Sequence, residues 1–220
     1  MMAIGPTARE AAMMNQTDDP HRIQTLEQLL ALFDTPGEAS LRKQIDWLHP
    51  LYQQLIAASS FVALATSNGA ELDVSPRGDP AGFVQVLDER TLLLPERRGN
   101  NRLDTLRNLI ADPRCALLFL IPGLGETLRV NGRAEISVAP ELLERCAMQG
   151  KLPKCVLRIH VENVYFQCAR AIARSQLWQP ASLPAGLPSA GQILAAMGEG
   201  SFDGEAYDRA LPARQKATLY

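Results

Sequence analysis

The chain holds 220 residues, 46% of them hydrophobic, with 22 basic against 24 acidic side chains and a formal net charge of -2. That length and apolar content suffice for one sizeable buried core with appendages. The near-neutral balance argues against a nucleic-acid binder, which carries a basic excess or stripe, and the longest apolar run, Cys115 to Ile121, is far short of the ~20 residues that span a bilayer.

Residues 1–22 read as a loose leader in which Arg9, Glu10, Asp18 and Asp19 break up the apolar stretch a signal peptide needs. From Ile23 to Phe33 the apolar positions recur at helical spacing, and Pro36 with Gly37 ends the segment. Further helical pieces over Glu38–Leu48 and Leu51–Ala58 are expected to pack outside the β-structure that follows. Phe61 to Thr66 reads as a strand, Asn68-Gly69 as a hairpin turn, and Leu72 and Val74 alternate with polar neighbours in a second strand. Phe83 to Leu87 and Thr91 to Leu94 form another hairpin.

A helix over Arg102–Ala111 is expected to bury Leu103, Leu106 and Ile110, and to stop at Asp112 because Pro113 follows it. Arg114 to Ile121 is strand-like, Pro122 to Gly125 turns the chain, and Leu128 to Ile136 alternates in phase with polar Thr127 to Glu135. A short helix runs from Pro140 to Gly150. Cys155, Leu157, Ile159 and Val161 alternate, then the phase changes to Val164, Phe166 and Cys168, which implies a bulge near Glu162 and Asn163. After a helical turn over Ala169–Ser175, Pro180 to Pro188 reads as an extended linker. One amphipathic piece around Ile193, Leu194 and Met197 precedes glycine-broken sequence. The organisation expected is a leader to 22, one domain over 23–180, and a tail over 181–220.

The chemistry concentrates around one turn. A strand ends at Leu94 and Pro95, a basic turn of Arg97, Arg98, Gly99 and Asn100 follows, and a helix opens near Asn101 and Arg102. Helix starts present unpaired N-H groups and the positive end of the dipole, so they accept anions. Two readings stay open: a phosphate site, or an Asn101 cap beside solvated arginines. Arg77, in Ser75-Pro76-Arg77-Gly78-Asp79, strengthens the first. No nucleophile, metal set or acid-base pair stands out. His21, His49 and His160 lie near none, and Gly123-Leu124-Gly125 lacks the third glycine of a dinucleotide fingerprint. Cys115, Cys146, Cys155 and Cys168, with no Cys-x-x-Cys pair, read as reduced core residues of a cytoplasmic protein. A bound cofactor is then the natural carrier of any reaction.

Asp73-Val-Ser-Pro-Arg-Gly-Asp79, Leu94-Pro-Glu-Arg-Arg-Gly-Asn-Asn-Arg102, Asp112-Pro-Arg, Leu128-Arg-Val-Asn-Gly-Arg-Ala-Glu135 and the closing Cys168 to Trp178 occur in that order. The succession resembles the FMN-binding proteins related to pyridoxamine 5'-phosphate oxidase, over roughly Leu51 to Pro180. The resemblance implies an α+β split β-barrel of about six antiparallel strands in Greek-key order with peripheral helices. It also implies a homodimer with FMN sites at the subunit interface, and an FMN-dependent oxidoreductase with a nicotinamide donor or other small-molecule substrate. Carried over, Ser75, Arg77, Arg97, Asn101 and Arg102 hold the phosphate and ribityl chain, while Leu94 and Pro95 run along the ring. Thr127 stands where the oxidase has a glutamine. Arg174, Ser175 and Trp178 reach the flavin of the opposite subunit, or Trp178 anchors the chain end instead. Arg129 and Arg133 read as solvated or salt-bridged. The Pro-rich segment after Trp178, and Val84 where a lysine is expected, argue against pyridoxamine phosphate as substrate. Rival readings are a flavin carrier or sensor without turnover, or a barrel that takes F420 or haem.

Overall fold

The computed structural model describes residues 19–182, 184–198 and 201–220, so most of the leader expected over 1–22 lies outside the described residues. The chain divides into two compact units, one through Leu41 and one from Arg42 onward.

In the first unit the periodic segment yields only α1 (Leu26–Leu30). Thr25 and Gln28 close a capping box around its start. Leu26, Leu29, Leu30 and Phe33 are all exposed. Short helices are marginal in water unless a buried face prolongs them, which explains why the expected span to Phe33 is not reached. The next helix, α2 (Glu38–Arg42), also stops short of the expected Leu48. Ile45 leaves the helical path and exchanges two backbone hydrogen bonds with Val164, and Leu48 is fully buried. Then α3 (Pro50–Ala58) opens with proline at its first turn and His49 Nδ1 accepting from Leu51 N.

The strands are β1 (Phe61–Ser67), β2 (Leu72–Gly78), β3 (Gln85–Asp88), β4 (Thr91–Pro95), β5 (Arg114–Leu120), β6 (Thr127–Ser137) and β7 (Val156–Gln167). They form one antiparallel sheet in the order β2-β1-β5-β6-β7-β4-β3. With the short edge strand β3 the count is seven, one more than the resemblance implies. Arg77 on β2 nonetheless meets Glu96, just past β4, at 3.2 Å. In a flat sheet five spacings of about 4.8 Å would hold those strands ~24 Å apart, so the sheet curls until β2 faces β4. The two do not pair, and this is the split of a split β-barrel. Leu64, Leu92, Leu117, Phe119, Leu128 and Val161 fill the interior.

Two irregularities place the side chains. Asn131 pairs with Asn163 and Gly132 with Val161, which leaves Glu162 unpaired as the expected bulge. His160 O lies so close that a Cβ on Gly132 would stand 2.1 Å from it. The helix α4 (Asp104–Ala111) starts later than the expected Arg102, after Asn101 and Leu103 adopt φ of 59° and 63°. Each residue of delay turns a helix face by about 100°. Thr105, Asn108 and Leu109 are therefore the buried residues, while Leu103 and Ile110, expected inside, are 47% and 79% exposed.

Outside the barrel, α5 (Pro140–Arg145) covers Leu93, Cys146 and Val156 in a second small core, so both faces of β4 are dry. Cys168 is exposed, against the expectation that all four thiols are core. After α6 (Arg170–Ser175), no helix or strand occurs in the described part of 180–188. In the tail, the amphipathic piece expected around Ile193, Leu194 and Met197 is α7 (Ala190–Met197), and the sequence after it, expected to be glycine-broken, forms α8 (Gly204–Ala217) packed on it. The tail's glycines make the packing: a Cβ on Gly191 or Gly204 would meet the other's carbonyl oxygen at 2.0 or 2.4 Å. Asp208 fastens the pair by accepting from Ser189 Oγ and Gly191 N. Among the described residues no helix is long and apolar enough to cross a membrane.

Candidate functional site

β2 is an edge strand, which is why it tolerates Pro76, a residue with no N-H for a ladder. Its alternation is inverted: Leu72 and Val74 are 86% and 69% exposed, whereas Asp73, Ser75 and Arg77 turn their shared face inward. There they meet the first turn of α4. The Thr105 hydroxyl donates to Asp73 Oδ2 at 2.6 Å, and having one proton it must accept the Ser75 hydroxyl, 3.0 Å away. Arg77 Nη1 then donates to Ser75 Oγ at 2.8 Å. Arg77 Nη2 donates to Thr105 Oγ1 and to Glu96 Oε2, both at 3.2 Å.

The loop after β4 closes the other side. Glu96 N still bonds Cys155 O, and burial raises the Glu96 carboxyl pKa against the opposing pull of Arg77. Arg97 is held down: its Nε donates to Asp79 Oδ2 at 2.6 Å and its Nη1 to Cys146 O at 2.8 Å, with the Asp79 side chain 1% exposed. Arg102 is mostly exposed, paired with Asp104 at 2.7 Å, and its N-H is fixed by Asn100 Oδ1. Asn101 does not cap α4. The N-cap position is Leu103, and no side chain caps the first turn.

Between these walls lies a cavity of about 310 Å3. Of the residues expected from sequence, Ser75, Arg77, Arg97, Asn101 and Arg102 line it. Five cationic side chains (Arg77, Arg97, Arg98, Arg102 and Lys154) face three anionic ones (Asp73, Glu96 and Asp104), an excess of two positive charges. Arg77 Nε is buried without a hydrogen-bond partner. A buried donor left unpaired costs free energy.

The remaining expected residues do not line this cavity. Leu94 and Pro95 are buried in β4 beside it. Thr127, buried, starts β6 opposite Gln167. Trp178 Nε1 donates to Leu124 O at 2.7 Å, which anchors the chain end on the turn between β5 and β6. Ser175 bonds Ile172 O within α6, whose last turn also carries Arg174. Arg129, read as solvated or salt-bridged, sits over the Tyr165 ring at 5.3 Å. Sequence reasoning missed Asp73, Glu96, Thr105 and Lys154. Asp73 was detectable, since it precedes Ser75 and Arg77 at the strand period of two; Thr105 gave no signal before the start of α4 was known. Among the described residues no group of three or more His, Cys, Asp or Glu side chains is placed to hold a metal ion.

A family model described as pyridoxamine 5'-phosphate oxidase matches residues 48–168. No curated protein shows a significant match to the chain. Similar solved structures include a tagged HupZ from Group A Streptococcus, 20% identical, covering 53% of this chain and 90% of its own with a TM-score of 0.43. A putative pyridoxamine 5'-phosphate oxidase from Lactobacillus delbrueckii is 17% identical over 55% of this chain and 95% of its own, TM-score 0.43. An FAD-binding protein from Mesorhizobium loti is 18% identical over 55% and 94%, TM-score 0.40.

Proposed function

This chain belongs to the pyridoxamine 5'-phosphate oxidase family, and from that membership we propose that it binds FMN and acts as an FMN-dependent oxidoreductase on a small molecule other than pyridoxamine phosphate. The observation that carries the reading is Arg77, which lines, with Ser75, Arg97 and Arg102, a cavity with two excess positive charges. A phosphate monoester is a dianion near neutral pH, and guanidinium groups bind its oxygens in paired, charge-assisted hydrogen bonds.

Ser75, Arg77 and Arg102 would hold the phosphate, with Asn101 and the uncapped first turn of α4 beside them. Asp79 and the Cys146 carbonyl hold Arg97 in place, so its charge needs no ordering when the ester arrives. Leu94 and Pro95 would lie along the ring, near Thr127. FMN, when bound, supplies a redox centre that exchanges a hydride with an organic donor or acceptor. The protein's part is to bind, orient and keep the site dry.

Arg174, Ser175 and Trp178 would act from a second copy. A homodimer is supported by the exposed Leu72 and Val74 on the outer face of β2, since an unpaired apolar edge invites association. The visible spectrum of the purified protein tests the reading. Flavin absorbance as isolated or after FMN addition is expected; a preparation that stays free of bound flavin refutes it.

A further inference from the structure

A second cavity, of about 290 Å3, shares Glu96, Arg97, Arg98, Asn101 and Lys154 with the first and continues past them to Lys151, Leu152, Pro153 and Tyr220. Its charge is one-sided, with Arg97, Arg98, Lys151 and Lys154 against Glu96 alone. The chain itself displays what this space holds. The Tyr220 ring lies under the Arg97 guanidinium, 5.9 Å from ring centre to carbon, within cation-π range. Its hydroxyl donates to Asp79 Oδ1 at 2.7 Å, a bond that raises the hydroxyl pKa and keeps it a donor. Its backbone oxygen accepts from Lys151 Nζ at 2.9 Å. A flat ring, a donating hydroxyl and an acceptor on a lysine, in a space lined by four cations and one carboxylate, match a hydroxylated aromatic ligand that carries a negative charge.

We propose that this second cavity is a subsite for a small aromatic anion, the recognition group of the substrate, and that Tyr220 sits at its mouth as a tethered surrogate which the ligand displaces. The proposal deepens the flavin reading and rests on it, because the shared wall of Arg97 and Asn101 would set the ligand beside the cofactor. Arg98 and Lys154 line both spaces and make no ion pair among the described residues. They can therefore screen a phosphate on one side from a carboxylate on the other. The contact at Asp79 uses Oδ1, while Arg97 uses Oδ2, so a ligand hydroxyl can replace that of Tyr220 without releasing Arg97.

The test is calorimetric titration of the full chain, without added flavin, with 4-hydroxybenzoate as probe and 4-hydroxybenzyl alcohol as its uncharged counterpart. Tyr220→Ala is expected to bind the acid about tenfold more tightly than the parent, the scale of one competing hydrogen bond removed. Tyr220→Phe, which loses only the hydroxyl, should gain less. Adding Lys151→Ala to Tyr220→Ala should erase the gain, and the alcohol should bind weakly throughout. Equal or weaker binding by both Tyr220 variants overturns the proposal, as does a double variant that keeps the gain. Inorganic phosphate competing as well as the aromatic acid binds would also overturn it, because the subsite would then be an anion site only. FMN binding is followed in parallel by quenching of flavin fluorescence. Bound FMN with no acid binding sinks the subsite alone; absence of both sinks the flavin reading too.

Discussion

The Arg77 guanidinium and the Glu96 carboxylate stand 3.2 Å apart across the open side of the barrel, joining the first strand of the hydrogen-bonded order to the end of the sixth. The pair fixes where the Arg77 guanidinium points. Arg77→Ala is expected to weaken FMN binding by about 1–3 kcal/mol, the scale of a lost charge-assisted hydrogen bond, or about 5- to 150-fold in Kd. Quenching of FMN fluorescence measures it. An unaltered Kd would put the phosphate elsewhere.

Glu96 gives a pH signature. Burial holds its carboxyl above the ordinary 4.5, so the folded protein binds that proton more tightly than the unfolded chain does. Stability therefore falls as pH rises from 4.5 through the raised value. Glu96→Gln removes this loss and is expected to unfold at higher denaturant concentration than the parent at neutral pH, the two converging below the usual glutamate range. A variant less stable at neutral pH would mean that the ion pair with Arg77 outweighs the desolvation.

The thiols should sort by burial. Desolvation pushes Cys115 up to about 12 and raises Cys146 and Cys155, whereas Cys168 is exposed. Only the thiolate attacks an alkylating agent. Brief iodoacetamide treatment of the native protein is expected to modify Cys168 alone, read by peptide mass spectrometry; early labelling of Cys115 would contradict its burial.

Gly132 lies opposite the β7 bulge, and any Cβ there would sit 2.1 Å from His160 O. Backbone has to move, so Gly132→Ala is expected to cost about 1–3 kcal/mol, as overpacking does. Urea unfolding checks it. Wild-type stability in that variant would mean that the two strands are further apart than described.

The strands were legible because their period of two is written in residue type. Leu128 to Ile136 alternate without a break, Asn68-Gly69 marks a hairpin, and the phase change after Val161 gives the bulge at Glu162. Helices were less legible where tertiary context decided. Two left-handed residues delay α4 and rotate its buried face from Leu103 and Ile110 to Thr105 and Asn108. In the tail, glycines that look like helix breakers are the contact surface of α7 and α8. Ser75, Arg77, Arg97, Asn101 and Arg102 could be grouped from sequence, but the carboxylates opposing them could not. Glu96 becomes a partner of Arg77 only when the sheet curls, and no local pattern encodes that closure.

The left-handed Asn101 and Leu103 on either side of Arg102 set thermal robustness against the fixed course of that turn. Such a conformation costs a residue like Leu103 roughly 1–2 kcal/mol, whereas asparagine tolerates it, and glycine would escape the cost. Laboratory selection for heat resistance is thus drawn towards glycine at position 103, and a lineage that takes this step trades a preset turn for a slack one. Breeding a hardier form of this protein is safest when that turn is shielded from mutation.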